Sequence, residues 1–156
     1  MSADVRAATA RDLDRVAALW TAITAHHEPF DPLFRMRADA DAALRELLGR
    51  LQRDPDAAIF VHDANGDVAG MCIVRIDHAP PILEEVERAE ITDLGVREDA
   101  RRCGIGTALV DCALRWARAS GVARVEIQVA SENVEAQAFW RAKGFGELMN
   151  ILHKRL

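Results

Sequence analysis

The amino-acid sequence predicts an α/β fold, a three-layer sandwich built on a mixed and mostly antiparallel sheet. One observation is length, because 156 residues without a linker or repeat are the usual size of one domain, here residues 1–156. The other is the order of the predicted elements, β-α-α-β-β-β-α-β-α-β. Antiparallel hairpins come first and a strand-helix-strand crossover follows, so helices should cover both faces of a sheet with one parallel pair.

The chain begins with a predicted strand and a predicted helix. Residues 5–8 form a short apolar run. Thr9 and Asp12 follow at the spacing of a capping box, in which the threonine caps the helix and the acid returns a hydrogen bond. Apolar residues then recur at helical spacing until Pro29 and Pro32, which end the helix.

A second helix and a β-hairpin are predicted next. Residues 38–53 carry apolar side chains on one side at helical spacing. Residues 57–62 and 68–76 are strand-like, and Asn65-Gly66 lies between them. This dipeptide is a strong hairpin signal because both central residues of the tight turn adopt positive φ.

The second half of the chain predicts alternating strands and helices. Apolar residues recur at helical spacing from Ile105 to Trp116, and Gly121 and Gly144 have the position of glycines that end helices. The predicted elements are a strand at 89–96, a helix at 104–120, a strand at 125–129, a helix at 133–143 and a last strand at 148–156.

Composition and charge disfavour several classes of protein. The net charge of −5 shows no basic excess, which argues against nucleic-acid binding. The three cysteines, Cys72, Cys103 and Cys112, are irregularly spaced, so no disulfide framework and no metal site are predicted and a reducing cytoplasm fits best. No apolar run reaches the roughly 20 residues of a membrane span, and we expect no signal peptide.

The most informative segment is a predicted anion-binding turn before the helix at 104–120. Arg101 and Arg102 precede Gly104 and Gly106 there. The first N–H groups of a helix lack internal partners and carry partial positive charge, and glycines let a ligand approach the backbone closely. These features predict a phosphate or pyrophosphate site. Taken alone, they also fit a helix that starts with two glycines beside solvated arginines.

Two other nucleotide-binding motifs do not fit this segment. A dinucleotide-binding fingerprint needs a third glycine where this chain has Leu109, and it follows the first strand of a domain rather than a late one. A Walker loop ends in Gly-Lys-Ser/Thr, and that ending is missing here.

The turn and its surroundings resemble a known family. Arg101-x-x-Gly104-x-Gly106 is similar to the Arg/Gln-x-x-Gly-x-Gly/Ala motif of the GNAT N-acetyltransferase superfamily. The segments 89–96, 123–129 and 133–145 resemble the fourth strand, the fifth strand and the fourth helix of that family. The resemblance covers about residues 89 to 156, and the earlier residues agree in element order only.

The resemblance implies the GNAT, or acyl-CoA N-acyltransferase, fold, in which splayed central strands hold acetyl-CoA as the co-substrate. The implied coenzyme ligands are the end of the fourth strand, the turn, and residues of the fourth helix. They are Leu94, Gly95, Val96, Arg101, Arg102, Cys103, Gly104, Ile105, Gly106, Thr107, Asn133, Phe139 and Trp140. Asn133 also fits a plain helix N-cap, which is compatible with the first role.

The implied reaction is acetyl transfer to a primary amine of a small molecule or protein. By the resemblance, Glu90 is the expected base for the amine, and the Leu94 N–H polarises the thioester carbonyl. Asp93 lies an odd number of residues from Glu90 and is expected to face the other way. Many family members use a tyrosine acid where this chain has Trp140, and the chain contains no tyrosine.

Other interpretations stay open. A non-catalytic module that binds acyl-CoA and regulates a partner would be consistent with the missing tyrosine, and a structural protein would need no coenzyme. Cys103 fits a small filler in the turn or a reactive thiol. His26 and His27 fit a helix end favoured by the dipole, or the rim of an acceptor pocket. Homodimers are common in the family, and the sequence neither supports nor excludes one.

Overall fold

The computed structural model describes residues 4–156 as a five-stranded sheet with α-helices on both faces. The strands and helices are β1 Val5–Ala7, α1 Leu13–His27, α2 Ala40–Arg53, β2 Ala57–Ala64, β3 Asp67–His78, β4 Glu87–Val96, α3 Ile105–Ala119, β5 Val125–Ile127 and α4 Val134–Ala142. Every predicted element except the last strand is present. No helix within the described residues has the length and apolarity that a membrane crossing requires.

The five strands lie across the sheet in chain order, β1-β2-β3-β4-β5. Neighbouring strands pair antiparallel except β4 and β5, which are parallel and are joined by α3. The predicted hairpin turn forms at Asn65 and Gly66, which both have positive φ. The prediction of a mixed, mostly antiparallel sheet is confirmed.

Each face of the sheet buries its own hydrophobic core. On one face α1 and α2 pack onto the strands, and Val16, Leu48 and Met71 are fully buried there. On the other face Leu109 of α3 and Trp140 of α4 are buried in a second cluster. Each large apolar side chain buried in this way contributes about 1.5–3 kcal/mol, so the two helical layers hold the sheet between them.

A β-bulge interrupts the pairing of β4 with β3. Ile73 of β3 pairs with Asp93, and the next residue, Val74, pairs with Ile91. Thr92 is therefore an extra residue on β4 with no partner opposite it. Side-chain alternation along β4 shifts by one residue at this point.

The bulge decides which β4 side chains share a face. Ile91 and Leu94 both pack against the core beneath α3, although unbroken alternation would point them in opposite directions. Glu90 and Asp93 consequently share the other face, which looks toward α1. The prediction that Asp93 faces away from Glu90 is wrong because it assumed a strand without a bulge.

The C-terminal residues 146–156 contain no strand, so the predicted last strand at 148–156 is wrong. None of these residues forms a main-chain hydrogen bond with another described residue, and Leu152 is 92% exposed. An apolar run becomes a strand only where it meets a free sheet edge and can bury a face. Here the tail runs instead toward the loop after α1, where Arg155 pairs with Asp31 at 3.1 Å.

An ion pair between half-exposed Arg6 and buried Asp12 ties β1 to the start of α1. The Asp12 carboxylate accepts hydrogen bonds from Arg6 at 2.7 and 3.0 Å and from the Thr9 N–H at 2.7 Å. The bond to Thr9 is the one that the capping-box prediction assigned to the acid. The hydrogen bonds from Arg6 hold the pKa of the Asp12 carboxyl well below its usual range.

Replacement of this acid should measurably destabilise the fold. We expect Asp12→Ala to lower the free energy of unfolding by about 2–4 kcal/mol at pH 7, since Arg6 and the Thr9 N–H lose their partner. The depressed pKa means that this stability is present above the unfolded value of 3.8 and is lost as the pH falls through the folded value.

Urea denaturation at pH 7 and at pH 3 measures both effects. The difference between the wild type and Asp12→Ala should shrink at pH 3, and an equal difference at both pH values would contradict the ionic explanation. Asp14→Ala is the matched control, because that carboxylate is 76% exposed in a surface pair and should change stability by less than about 0.5 kcal/mol.

Candidate active site

The centre of the site is a gap in the sheet between β4 and β5. The two strands pair only from Ala89 and Val125 to Ile91 and Ile127, whereas β4 continues to Val96. Residues 92–96 therefore have no strand beside them on this edge. Main-chain groups left open in this way need another hydrogen-bonding partner.

Leu94 and Val96 point their main-chain groups into the gap. The Arg97 N–H donates to the Ala69 C=O of β3 at 2.9 Å, which fixes the alternation along the end of β4. Odd-numbered residues here bond toward β3, and Leu94 and Val96 face the other way. The Val96 C=O accepts a 3.3 Å hydrogen bond from the Arg101 side chain. An extended ligand could pair with this edge as an additional strand does.

Gly95 lets α1 approach this edge closely. A Cβ at this position would overlap the end of the Ile23 side chain of α1, so only glycine fits without a shift of that side chain. The close approach places the C-terminal turn of α1, which ends at His27, over the open part of β4.

The predicted anion-binding turn is a concave main-chain segment at the N-terminus of α3. Arg102 has a φ of 59° and Gly104 a φ of 81°, both left-handed, and α3 begins at Ile105. Backbone of this kind directs successive N–H groups toward one side, next to the unpartnered N–H groups of the helix. Arg101 and Arg102 are exposed beside it. The arrangement can hold a phosphate or pyrophosphate.

α4 borders the turn on its far side. A Cβ at Gly106 would lie 3.7 Å from the Phe139 ring, so these two residues face each other closely. Trp140 is 8% exposed and packs between Phe139 and Phe145, with ring centroids 5.1 and 5.0 Å away. Phe139 thus lies beside the turn, and the Trp140 ring belongs to the core beneath it.

Asn133 links α4 to α1 across the site. Its Oδ1 accepts a hydrogen bond from the Ala136 N–H at 3.1 Å, which confirms the N-cap prediction. Its Nδ2 lies 3.3 Å from His27 Nε2. His27 Nδ1 lies 2.7 Å from the Ile23 C=O, so Nδ1 donates and Nε2 of the neutral ring accepts from the amide. Sequence reasoning missed this contact, since the two residues lie 106 positions apart.

The two β4 carboxylates lie in different surroundings. Glu90 accepts hydrogen bonds from Arg75 at 3.0 Å and from Gln128 at 3.2 Å. Asp93 is half-buried, and burial together with the smaller effect of the negative charge of Glu90 raises its pKa to about 6. The sequence predicted Asp93 on the face opposite Glu90 because it did not place the bulge at Thr92.

Cys103 lies exposed in the turn, with its Sγ 3.5 Å from the Arg101 C=O. The other cysteines are less accessible, since Cys72 is buried and Cys112 half-buried. Within residues 4–156 no three His, Cys, Asp or Glu side chains are grouped so that they could hold a metal ion.

The match to a family model decides the relationship of the chain to known proteins. The model of the Acetyltransferase (GNAT) family matches residues 18–145, a range that includes the bulged strand, the turn and α4. The chain belongs to the GNAT family. The resemblance found in the sequence motifs is confirmed, and the match extends well before residue 89.

The names of relatives of this GNAT domain indicate different substrates. It is 34% identical over 126 residues to a mycothiol acetyltransferase of Beutenbergia cavernae, covering 81% of this chain and 40% of the relative. It is 30% identical over 125 residues to an aminoglycoside N(6')-acetyltransferase type 1 of Stenotrophomonas maltophilia, covering 76% of this chain and 78% of the relative. The chain spans about two fifths of the length of the first curated relatives it matches.

A solved structure has the same fold as this GNAT domain. Aminoglycoside N-acetyltransferase AAC(6')-Iy in complex with CoA superposes with a TM-score of 0.79 at 19% identity, covering 98% of this chain and 93% of the other. The predicted α/β/α fold with separated central strands is confirmed by this likeness and by the early end of the β4–β5 pairing.

The two hydrogen bonds of Asn133 can be separated by mutation. Asn133→Ala removes both and should lower the free energy of unfolding by about 1 kcal/mol, the usual value of an N-cap. Asn133→Ser keeps a capping oxygen, but the serine side chain is too short to reach His27. The free energy of unfolding of this variant should therefore fall by only a few tenths of a kcal/mol. Urea denaturation measures both variants. Equal losses would mean that the contact with His27, and not the cap, carries the stability.

Proposed function

We propose that this GNAT domain moves an acetyl group from acetyl-CoA to a primary amine of a small molecule or protein. The observation that carries the proposal is the open β4 edge, which lies beside the anion-binding turn of α3. Acetyl-CoA has an extended amide-containing arm that matches the first feature and a pyrophosphate that matches the second. A protein of the same fold solved in complex with CoA supports this ligand.

Each part of the coenzyme would have its own protein surface. The main chain of Leu94 and Val96, on either side of Gly95, would pair with the pantetheine arm, and the N–H groups of residues 102–107 would bind the pyrophosphate. Asn133 and Phe139 would border the arm from α4. Trp140 would act from the core by holding Phe139 in place.

The reaction needs a neutral amine, a polarised carbonyl and a protonated leaving thiol. A lysine-like amine has a pKa of about 10.4, so a base must take its proton, and Glu90 is the base predicted from the sequence. The Leu94 N–H, which points into the gap, would donate to the carbonyl oxygen as negative charge develops there. No tyrosine is present in the chain, and an indole cannot serve as an acid. We therefore propose that the leaving thiolate is protonated by the second proton of the attacking amine.

The acceptor side of the gap combines negative charge with aromatic surface. Asp93 borders the gap, and the negative charge of Glu90 lies near it in the paired part of the strand. His27 packs against Phe30 and Phe34 with ring centroids 5.6 and 5.4 Å away. Acidic groups attract and orient cationic substrates. One relative is named an aminoglycoside N(6')-acetyltransferase, which supports a cationic small-molecule amine as the acceptor class.

The second candidate is a non-catalytic module that binds acyl-CoA and regulates a partner. The missing tyrosine favours it, since a binding module needs no acid for the leaving thiol. Release of free thiol from acetyl-CoA with an aminoglycoside, spermidine or a lysine-containing peptide would exclude the module.

The cytoplasmic location and the homodimer stay predictions. Light scattering of the purified protein measures its oligomeric state.

Acetyl-CoA should stabilise the protein against heat. At one hundred times Kd, a ligand adds about 2.7 kcal/mol to the free energy of unfolding, which raises Tm by roughly 5–10 °C for a chain of this length. NAD is the control because it has a pyrophosphate but no pantetheine arm. Thermal unfolding with each ligand measures the shift. No rise with acetyl-CoA would contradict the coenzyme site, and an equal rise with NAD would contradict a role for the β4 edge.

The arginines of the turn should contribute to coenzyme affinity. Arg101→Ala combined with Arg102→Ala should raise the Kd for acetyl-CoA roughly tenfold or more, since charge-assisted hydrogen bonds to phosphate are lost. Arg118→Ala is the matched control because this arginine is exposed near the opposite end of α3 and should leave Kd within about twofold. Calorimetric titration measures all three proteins. An equal loss in the control would show that net charge, not the turn, sets the affinity.

A further inference from the structure

Glu90 and Asp93 share a face of β4 but lie on opposite sides of the point where the sheet opens. Glu90 pairs with Glu126 of β5, inside the closed part of the sheet. Ile91 is the last β4 residue that pairs with β5, and Asp93 follows two residues later. Asp93 is thus the carboxylate that borders the open gap, directly before the main chain of Leu94.

The two carboxylates also differ in the donors around them. The two oxygens of Glu90 accept hydrogen bonds from Arg75 and Gln128, so both already have a protein partner. Asp93 forms no ion pair with any residue in the described part of the chain, and its side-chain hydrogen bond comes from the adjacent Thr92. A base needs a free oxygen that can face the substrate, and Asp93 satisfies this condition better.

We propose that Asp93 takes the proton from the acceptor amine and that Glu90 acts as its fixed anionic neighbour. The inference rests on the proposed acetyl transfer and assigns its base to the other carboxylate of the pair. Asp93 and the Leu94 N–H are consecutive on one rigid strand. The proton acceptor and the donor for the carbonyl oxygen are therefore held at a fixed separation by the backbone.

The surroundings of Asp93 fit this role. A pKa of about 6 makes it a stronger base than an exposed aspartate and still leaves it ionised near neutral pH. Besides burial, the charge of Glu90 on the same strand raises this pKa, and the hydrogen bond from Thr92 and the charge of Arg75 on β3 lower it. His27 of α1 faces the carboxylate too and would lower its pKa only in the protonated form. Burial and, to a smaller extent, the charge of Asp93 raise the pKa of the Cys72 thiol on β3, so this thiol stays neutral.

Protons and bonds balance in the proposed step. The Asp93 carboxylate takes one proton from the ammonium form of the acceptor and later gives it to water. The neutral amine forms a C–N bond to the acetyl carbonyl carbon, the C–S bond breaks, and the sulfur leaves with the electron pair. The second proton of the nitrogen passes to this thiolate. The products are the acetamide, CoA with a free thiol, and one proton in solution.

The pH dependence of kcat/KM tests the assignment. The substrates are acetyl-CoA and the fastest of the three amine acceptors named above. Asp93→Asn should lower kcat/KM by roughly 10²–10³-fold and abolish the limb that rises near pH 6 in the wild type. Asp93→Glu keeps a carboxylate, so it should retain the limb with a much smaller loss. Glu90→Gln should lose less than about tenfold and shift the limb to lower pH, because removal of its charge lowers the pKa of Asp93.

Thermal unfolding tests the environment of Asp93 without turnover. Folding raises the pKa of Asp93 from 3.8 to about 6, so the wild type loses stability as the pH rises through this window. Asn cannot ionise. The Tm of Asp93→Asn should therefore match that of the wild type near pH 4 and exceed it by several degrees at pH 7.5, and a lower Tm at pH 7.5 would contradict the environment assigned to this carboxylate.

Two results would overturn the proposal, and they are distinguishable. If Asp93→Asn keeps kcat/KM within threefold of the wild type and retains the limb, whereas Glu90→Gln loses both, then Glu90 is the base. If the wild type releases no thiol with any of the three amines, the proposed acetyl transfer fails and the role of Asp93 fails with it.

Discussion

The early separation of β4 from β5 is the constraint on which the rest of the site depends. Pairing ends at Ile91, and the main chain of Leu94 and Val96 is left with donors and acceptors that no strand satisfies. Such an edge is kept open where a ligand can complete it, since unpaired main-chain groups are otherwise unfavourable in a covered position. The anion-binding turn comes directly after this edge, so one ligand can meet both.

The bulge at Thr92 places a second carboxylate, Asp93, beside this opening. A single extra residue turns Asp93 to the side of Glu90 and keeps Leu94 directed into the core beneath α3. Without the bulge, the strand would present one carboxylate to the α1 side. With it, two acids share that side of the strand three residues apart, and the negative charge of Glu90 contributes to the raised pKa of Asp93.

Local signals in the sequence predicted most of the fold and the anion-binding turn. Gly104, Gly121 and Gly144 end or begin helices with positive φ, as their positions suggested. The bulge was not predicted, because it depends on how β4 fits against both β3 and α1. The contact of Asn133 with His27 and the course of the tail after residue 145 are also long-range results, which periodicity and motif spacing do not encode.

Asp12 and Asp93 show why partners distinguish a structural acid from a reactive one. Asp12 is buried with Arg6 and the Thr9 N–H around it, so its pKa falls and its charge stabilises the fold. Asp93 is partly buried without a cation close enough for an ion pair, so its pKa rises and its charge destabilises the fold. A carboxylate that weakens the fold at neutral pH is most readily explained by the reaction it serves, because binding a cationic amine beside it would supply the missing partner.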